Sequence, residues 1–293
     1  MPDTFVAQVE EGLNVTVANA RKRMDFPSNV MLKLADRQTL KKGTGATWRE
    51  VIVENLTAQN YGETDIIDNA QTIDTALLTA TPQLSAIQTF IGKLVEQQLD
   101  PQVFATFGSV GQDGMNRLLD TSGHALFAAA GVTLGGTGVT GTAGQMLAGL
   151  RRIAVDATEP WLGPMAIVLH GYTIHDIQSE VLGGVGTYPI PEGYTAEVFR
   201  RGFKGMLGDA TVHEDGLIVV DATPDSRGGI FGSGPGGALV LVQGMAPWTE
   251  QKPRPEKGYG GSDVFLKHQY VWVERSAGNW MYGHLANASV PTG

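Results

Sequence analysis

The stretch from Asp100 to Ala130 constrains this chain more than any other, because its apolar and small residues keep a single helical period. Phe104, Phe107, Gly111, Met115, Leu118, Ser122, Ala125 and Ala129 recur at steps of three or four, which places one stripe along a helix about 45 Å long. Asp100 can cap the first free amides, Pro101 suits a first helical position where no N–H is needed, and Gly131 follows the last periodic residue as a stop. Gly108, Gly111 and Gly114 interrupt the interior, each costing roughly 1 kcal/mol against alanine. Either neighbouring structure packs closely on this face or the helix has to bend there. Both readings stay open.

A helix of that length needs a body to lie on, and the chain can supply one. It has 293 residues, 42% of them hydrophobic, enough for a large core in one or two domains. With 39 glycines and 14 prolines among short apolar runs, many strands and turns are expected rather than a helix bundle. The formal charge of -9 argues against sequence-independent binding to the outside of a duplex, which needs Lys and Arg against phosphate. Cysteine is absent, which excludes disulfides and thiolate metal sites. No basic-then-apolar signal opens the chain, and no run approaches the ~18 apolar residues of a membrane helix, so a soluble cytosolic protein is expected. The sequons at Asn14, Asn55 and Asn287 then carry no meaning.

Residues 1–35 mix a helical spacing (Phe5, Val9, Leu13, Val17) with β-branched residues and the basic Arg21-Lys22-Arg23. They read as an arm ordered by contact with something else. From Asp36 to Asp74 the pattern is that of a long polar hairpin. Gly43–Gly45 are read as its tip, Trp48, Ile52 and Leu56 alternate with Arg49, Val51 and Val53, and Asn60-Tyr61-Gly62 turns the chain. Two strands alone are marginal in water, so such a hairpin should lie on another surface. Residues 75–99 read as strand then helix. Beyond the long helix, residues 132–248 read as a compact α/β unit: a helix over 142–154, strands over 165–170, 212–221 and 237–242, and a flexible stretch over 225–236. Residues 247–255 are Pro-rich and read as a crossing segment. Strands over 264–275 and 279–285 then close the chain by packing back on residues 75–131, which makes the middle unit an insertion.

Few residues invite chemistry. Gly136-Thr137-Gly138-Val139-Thr140-Gly141 satisfies GxGxxG, and a dinucleotide would use those glycines to bring its pyrophosphate to a helix N-terminus. It also needs an acid at the end of the next strand, and Met165–Leu169 runs instead into His170-Gly171, so a glycine-rich loop without ligand is the better reading. Gly232-Ser233-Gly234 fails as a nucleophile elbow, since the first glycine of GxSxG would fall at Phe231. His170, His175 and His213 lie near Asp176, Glu214 and Asp215 without the spacing that fixes metal ligands on one face. They read as satisfied histidines, and the acidic pairs Glu10-Glu11 and Glu214-Asp215 as solvated faces. No catalytic residue, cofactor or metal is expected.

Taken in order, WREVIVENLTAQNYGE as an extended loop, FATFGSVGQDGMNRLLDTSGHALFAAA as a spine helix, PMAIVLHGYTIHDIQSE in an inserted unit and GGSDVFLKHQYVWVERSAGNWMYGHLANAS as returning strands resemble the major capsid protein of tailed bacteriophages, the Hong Kong 97-like fold. That family is held together by topology and has no catalytic motif. The resemblance implies an α+β chain with an N-terminal arm (1–35), an extended β-hairpin loop (36–74), a peripheral domain (75–131 and 249–293) around the spine helix, and an inserted α/β axial domain (132–248). It implies a virion shell protein, assembled in the host cytoplasm as pentamers and hexamers around double-stranded DNA, with separate scaffolding, portal and decoration proteins as partners and no membrane. No charged coiled coil precedes residue 36, so scaffolding would come from a separate protein or from a part already removed. The extended loop would lie over a neighbouring subunit, which marks Lys41, Lys42, Trp48, Arg49, Glu50, Glu54 and Tyr61 as intersubunit contacts, and Gly108, Gly111 and Gly114 as the place of a helix bend. Some family members crosslink through Lys and Asn; Lys41 and Lys42 read more simply as solvated charges. An encapsulin-like compartment shares this fold, and a nucleotide-dependent enzyme using Gly136–Gly141 is the alternative from another class.

Overall fold

The expected periodicity does form one unbroken helix, α2, running Pro101–Ala129 in the computed structural model, which describes residues 30–41, 43, 45–53, 56–63, 71–93, 101–156, 158–184, 205–276 and 278–291. The expectations about the arm over 1–29, about Lys42 and Glu54, and about the side chains of Phe104 and Phe107 lie outside the described residues. Ahead of α2 come α1 (Val30–Leu34), β1 (Asp36–Thr39), β2 (Trp48–Val53), β3 (Thr75–Ala80) and β4 (Gln83–Gly92). After it come β5 (Thr133–Thr140), α3 (Ala143–Arg151) with a π-turn over Arg152–Asp156, β6 (Met165–Leu169) and α4 (Gly171–Gly184). The chain ends with β7 (Met206–Leu207), β8 (Ala210–Glu214), β9 (Asp225–Gly232), β10 (Leu239–Pro253), β11 (Gly261–Glu274) and β12 (Met281–Asn287).

The buried side of α2 differs from the expected stripe. Met115, Leu119, Gly123 and Phe127 are buried, a uniform step of four, while Leu118 is 43% exposed and Ala125 and Ala129 face outward. Asp120 and His124 share the buried side. Two polar residues in a core face are what an apolar pattern cannot register, so the sequence-based stripe is rotated toward Leu118 and Ser122.

Among the described residues, strands assemble into three sheets, ordered β1-β10-β11-β4, β5-β12-β9-β6-β8-β7 and β2-β3. Helix α2 lies across the first two, touching β4 and β11 of one and β9 and β12 of the other. Its face packs with Met31, Leu239, Leu241, Trp272, Phe231 and Met281 into one cluster, and Trp272 Nε1 donates to the helix carbonyl of Leu119 at 3.0 Å. The opposite face of the six-stranded sheet is covered by α3 and α4. The five residues of β6 are buried throughout, with Ala166 and Val168 in the α2 cluster and Ile167 and Leu169 in a second cluster with Met146, Leu150, Ile174 and Ile177. A strand buried on both faces reads as an unbroken apolar run, which is why Met165–Leu169 was visible in the sequence.

Several expectations are corrected. Residues 225–236 were read as flexible, yet β9 occupies Asp225–Gly232 between β12 and β6. Its glycines serve close approach rather than mobility: a Cβ on Gly229 would sit 2.3 Å from the Phe127 ring, and one on Gly228 2.5 Å from the Val168 carbonyl oxygen. The strand expected over 212–221 correspondingly ends at Glu214. The Pro-rich crossing segment is instead the outer half of β10. Pro247 falls at the irregularity between Met245 and Trp248, and Pro253 ends the strand; β1 covers the other side of β10 only as far as Gln243, so neither proline interrupts a ladder on two sides. Over 75–93 two strands replace the expected strand-then-helix; the remainder of that expectation, 94–99, lies outside the described residues. Finally, β11 returns to β4 as expected, but β12, although it touches α2, pairs between β5 and β9 in the six-stranded sheet.

Candidate functional site

The expected hairpin exists with a shifted return strand. β2 pairs antiparallel with β3 from Trp48↔Ala80 to Val53↔Thr75, so the strand that closes it lies just past the expected limit at residue 74, and β1 belongs to another sheet. Gly43 and Gly45 precede β2 at the body end of the hairpin, which displaces the expected tip to residues beyond Val53. There Thr57 N–H donates to Gln71 Oε1 at 2.9 Å while Gln71 Nε2 donates to the Thr57 carbonyl, so one side chain continues the pairing. Residues directly opposite share a face. One face therefore carries Arg49, Val51 and Val53 opposite Thr79, Leu77 and Thr75, with Val51 61%, Val53 59% and Leu77 56% exposed. This two-stranded sheet has no core of its own on that side. Of the residues marked for contact, Arg49 and Lys41 are exposed, Trp48 is half-buried, and Tyr61 is exposed with its hydroxyl donating to Gln59 Oε1.

Glu50 points the other way, into the body. Arg275, 7% exposed, donates through Nε to both oxygens of Glu50 at 2.9 Å, through Nη1 to the Gly237 carbonyl at 3.1 Å, and sits 2.8 Å from Asp36 Oδ2. Burial alone would raise the Asp36 pKa, but Arg275, the Gln38 amide and the Gly236 N–H hold it below the usual carboxylate value. One guanidinium thus joins the base of the hairpin, β1 and the end of β11. Glu50, marked as a contact to a neighbour, is engaged within its own chain.

A second charged cluster lies beneath α2. Asp120 is fully buried and accepts from the Val30 N–H at 3.2 Å, tying α1 to the helix. His124 Nε2 is 3.1 Å from Asp215 Oδ2, close enough for an ion pair but not aligned as a hydrogen bond. Burial, and then the Asp215 charge, push the Asp120 carboxyl up to about 6, against the opposing pull of His124 and the Val30 and Leu32 amides. Asp215 was read as part of a solvated pair; it is 2% exposed and accepts from the Leu217 N–H. Neither Asp120 nor His124 had a signal in the sequence beyond their i, i+4 spacing.

The helix glycines divide. An added Cβ at Gly114 would meet Ile87 Cδ1 at 3.2 Å, at Gly111 only Leu266 Cδ2 at 3.8 Å, and at Gly108 nothing within 4 Å. The closest packing falls on Gly123, 3.1 Å from Met31 and 3.2 Å from Trp272. Close packing therefore accounts for Gly114 and Gly123 and leaves Gly108 unexplained by neighbours.

The glycine-rich run at 136–141 belongs largely to β5. Thr142 caps α3 in a reciprocal pair with Gln145, the Ala143 N–H donates to Glu180 Oε2 at 2.8 Å, and the Gly138 N–H donates to Asp225 Oδ1 at 2.8 Å. The Gly138, Ala143 and Gln145 amides, which a pyrophosphate at this helix start would use, are taken by the chain's own oxygens, two of them carboxylates. Among the described residues no three ligating side chains gather as a metal site. His170 Nδ1 accepts from the Tyr172 N–H, and His213 pairs with Thr211.

Compared with known protein families and with curated proteins, the sequence matches none. Solved structures are similar over nearly the whole chain. A structure from Mycobacterium phage Che8 is 14% identical, covers 92% of this chain and 96% of its own, and superposes with a TM-score of 0.71. The capsid of cyanophage P-SCSP1u is 11% identical over 98% of this chain and 96% of its own, at 0.70. The mature capsid of bacteriophage PhiM1 is 12% identical over 95% and 92%, again at 0.70. The chain shares its fold with these phage capsid structures.

Proposed function

We propose that this chain is the major capsid protein of a tailed bacteriophage, a structural subunit that assembles with copies of itself into an icosahedral shell around double-stranded DNA. The observation that carries this reading is the correspondence with phage capsid structures over 95% to 98% of the chain. The exposed apolar face of the β2–β3 hairpin supports it independently, because a two-stranded sheet without a core is marginal until something covers it. In this reading a neighbouring subunit covers that face, with Arg49, Val51, Val53 and Leu77 in the contact. Lys41, Trp48 and Tyr61, together with Lys42 and Glu54, belong to the same proposal. The subunits form pentamers and hexamers, and separate scaffolding and portal proteins complete the head. The role is mechanical rather than catalytic. The compartment and nucleotide readings gain no support: the similar structures are phage capsids, and the α3 amides are occupied.

The test replaces residues 54–74 with an Asn-Gly turn, which closes β2 onto β3 directly. The shortened protein is expected to remain folded and soluble but to form no closed shells under conditions in which the full chain does. Normal shells from the shortened chain would remove residues 54–74, with Glu54 and Tyr61, from assembly.

A further inference from the structure

We infer that Arg275 is a positioning residue for the hairpin: its bond to Glu50 sets the angle at which β2 and β3 leave the body, an inference that rests on the shell reading for its link to assembly. Among the described residues, the hairpin meets the body at its Trp48–Ala80 end. There Ala80 is buried opposite Trp48, and the Thr47 and Thr81 hydroxyls lie 3.2 Å apart. A ribbon joined at one end can swing about that joint unless something farther along is held. Glu50, paired with Leu78 two residues beyond the joint, is what Arg275 holds.

The geometry makes this a short lever. Glu50 stands about 7 Å from the Trp48–Ala80 pair and Val53 about 17 Å, so a 1 Å shift at Glu50 becomes roughly 2.5 Å at Val53. The guanidinium is itself anchored in the body. The Arg275 N–H donates to the Ala238 carbonyl at 2.8 Å, its Nη1 donates to Gly237, and the side chain is 7% exposed. The planar guanidinium shares its Nε–H between both Glu50 oxygens while Nη1 is held by the Gly237 carbonyl and Asp36, so its plane fixes direction as well as distance, which a lysine ammonium would not. Charge also matters. Arg275 serves Asp36 and Glu50 together, but Asp36 has the Gln38 amide and the Gly236 N–H besides. Neutralising Glu50 therefore frees the hairpin while leaving the buried Arg275–Asp36 pair intact, which separates positioning from folding.

The chain lacks cysteine, so spin labels can be placed at Gln59→Cys in the hairpin and Ala125→Cys on the exposed side of α2 without background. Distances are measured on unassembled protein with and without Glu50→Gln, and with Arg275→Lys. The unsubstituted pair should give a narrow distribution. Glu50→Gln should broaden it about twofold with the thermal midpoint of the core unchanged, Arg275→Lys should fall between, and Glu50→Gln shells should need a higher protein concentration or vary in diameter. An unchanged distribution in Glu50→Gln overturns the inference. A broadened distribution with shells of normal size at the normal concentration overturns the link to assembly while leaving the shell reading intact. Failure of the unsubstituted chain to form any shell removes the shell reading, and the distance measurement still decides whether Arg275 holds the hairpin.

Discussion

Replacing Asp120 by Asn should stabilise the folded chain at neutral pH and lose that advantage on acidification. The substitution keeps the shape of the side chain and an oxygen to accept the Val30 N–H, while removing a charge from a fully buried position beside Asp215. Folded Asp120 holds its proton up to about pH 6, against 3.8 for the ordinary group. Between those values the folded state binds more protons than the unfolded one, so stability falls as pH rises through the window and levels off above it. At about 1.4 kcal/mol for each pH unit, the buried carboxylate costs the folded chain about 3 kcal/mol once fully ionised. Urea unfolding of the unassembled protein, followed by tryptophan fluorescence from pH 4.5 to 8, reads the difference directly. The advantage of Asp120→Asn over the parent should grow by about 2 kcal/mol across that range, mostly below pH 6. A difference that stays constant with pH, or that shrinks as pH rises, would refute the reasoning, because it would mean that His124 and the α1 amides outweigh burial.

Gly229→Ala drives a methyl group into the Phe127 ring inside the six-stranded sheet and should destabilise the fold by about 1–3 kcal/mol in the same urea assay. At Gly108 the space is open, so Gly108→Ala should stabilise the unassembled chain by up to about 1 kcal/mol. If α2 bends at Gly108, Gly111 and Gly114 between immature and mature shells, the triple alanine variant should assemble yet expand slowly or not at all; normal expansion would leave Gly108 without a role. Titration with NAD or ATP followed by calorimetry should stay flat, since Glu180, Asp225 and the Thr142–Gln145 pair already occupy the amides around α3.

The sequence was most legible where a single physical rule acted alone. Pro101 and the periodicity behind it marked α2, and the apolar run Met165–Leu169 marked a strand buried on both faces. It misled where one residue type serves opposite purposes. The glycines at 228, 229 and 232 look like loop residues but stand in the middle of a sheet, because Leu169, Phe127 and Trp161 occupy the space their side chains would need. Pro247 and Pro253 look like breakers but sit where β10 has an irregularity and an end. The charged clusters were invisible for a different reason. Glu50 and Arg275 are 225 positions apart, and His124 meets Asp215 across the core, so neither pair leaves a local pattern. The hairpin itself was visible in the alternation over Trp48–Val53, and a strand was legible from residue 75, but their pairing was not, since register depends on a partner strand reached through a long loop.

Electron microscopy of the purified chain, across a range of protein concentration and ionic strength, tests the central claim most directly. The account predicts closed round shells whose surface resolves into rings of five and six subunits, with the β2–β3 hairpin of each subunit lying on its neighbour. A chain that stays monomeric throughout, or that forms shells in which the hairpin touches no other subunit, would contradict it.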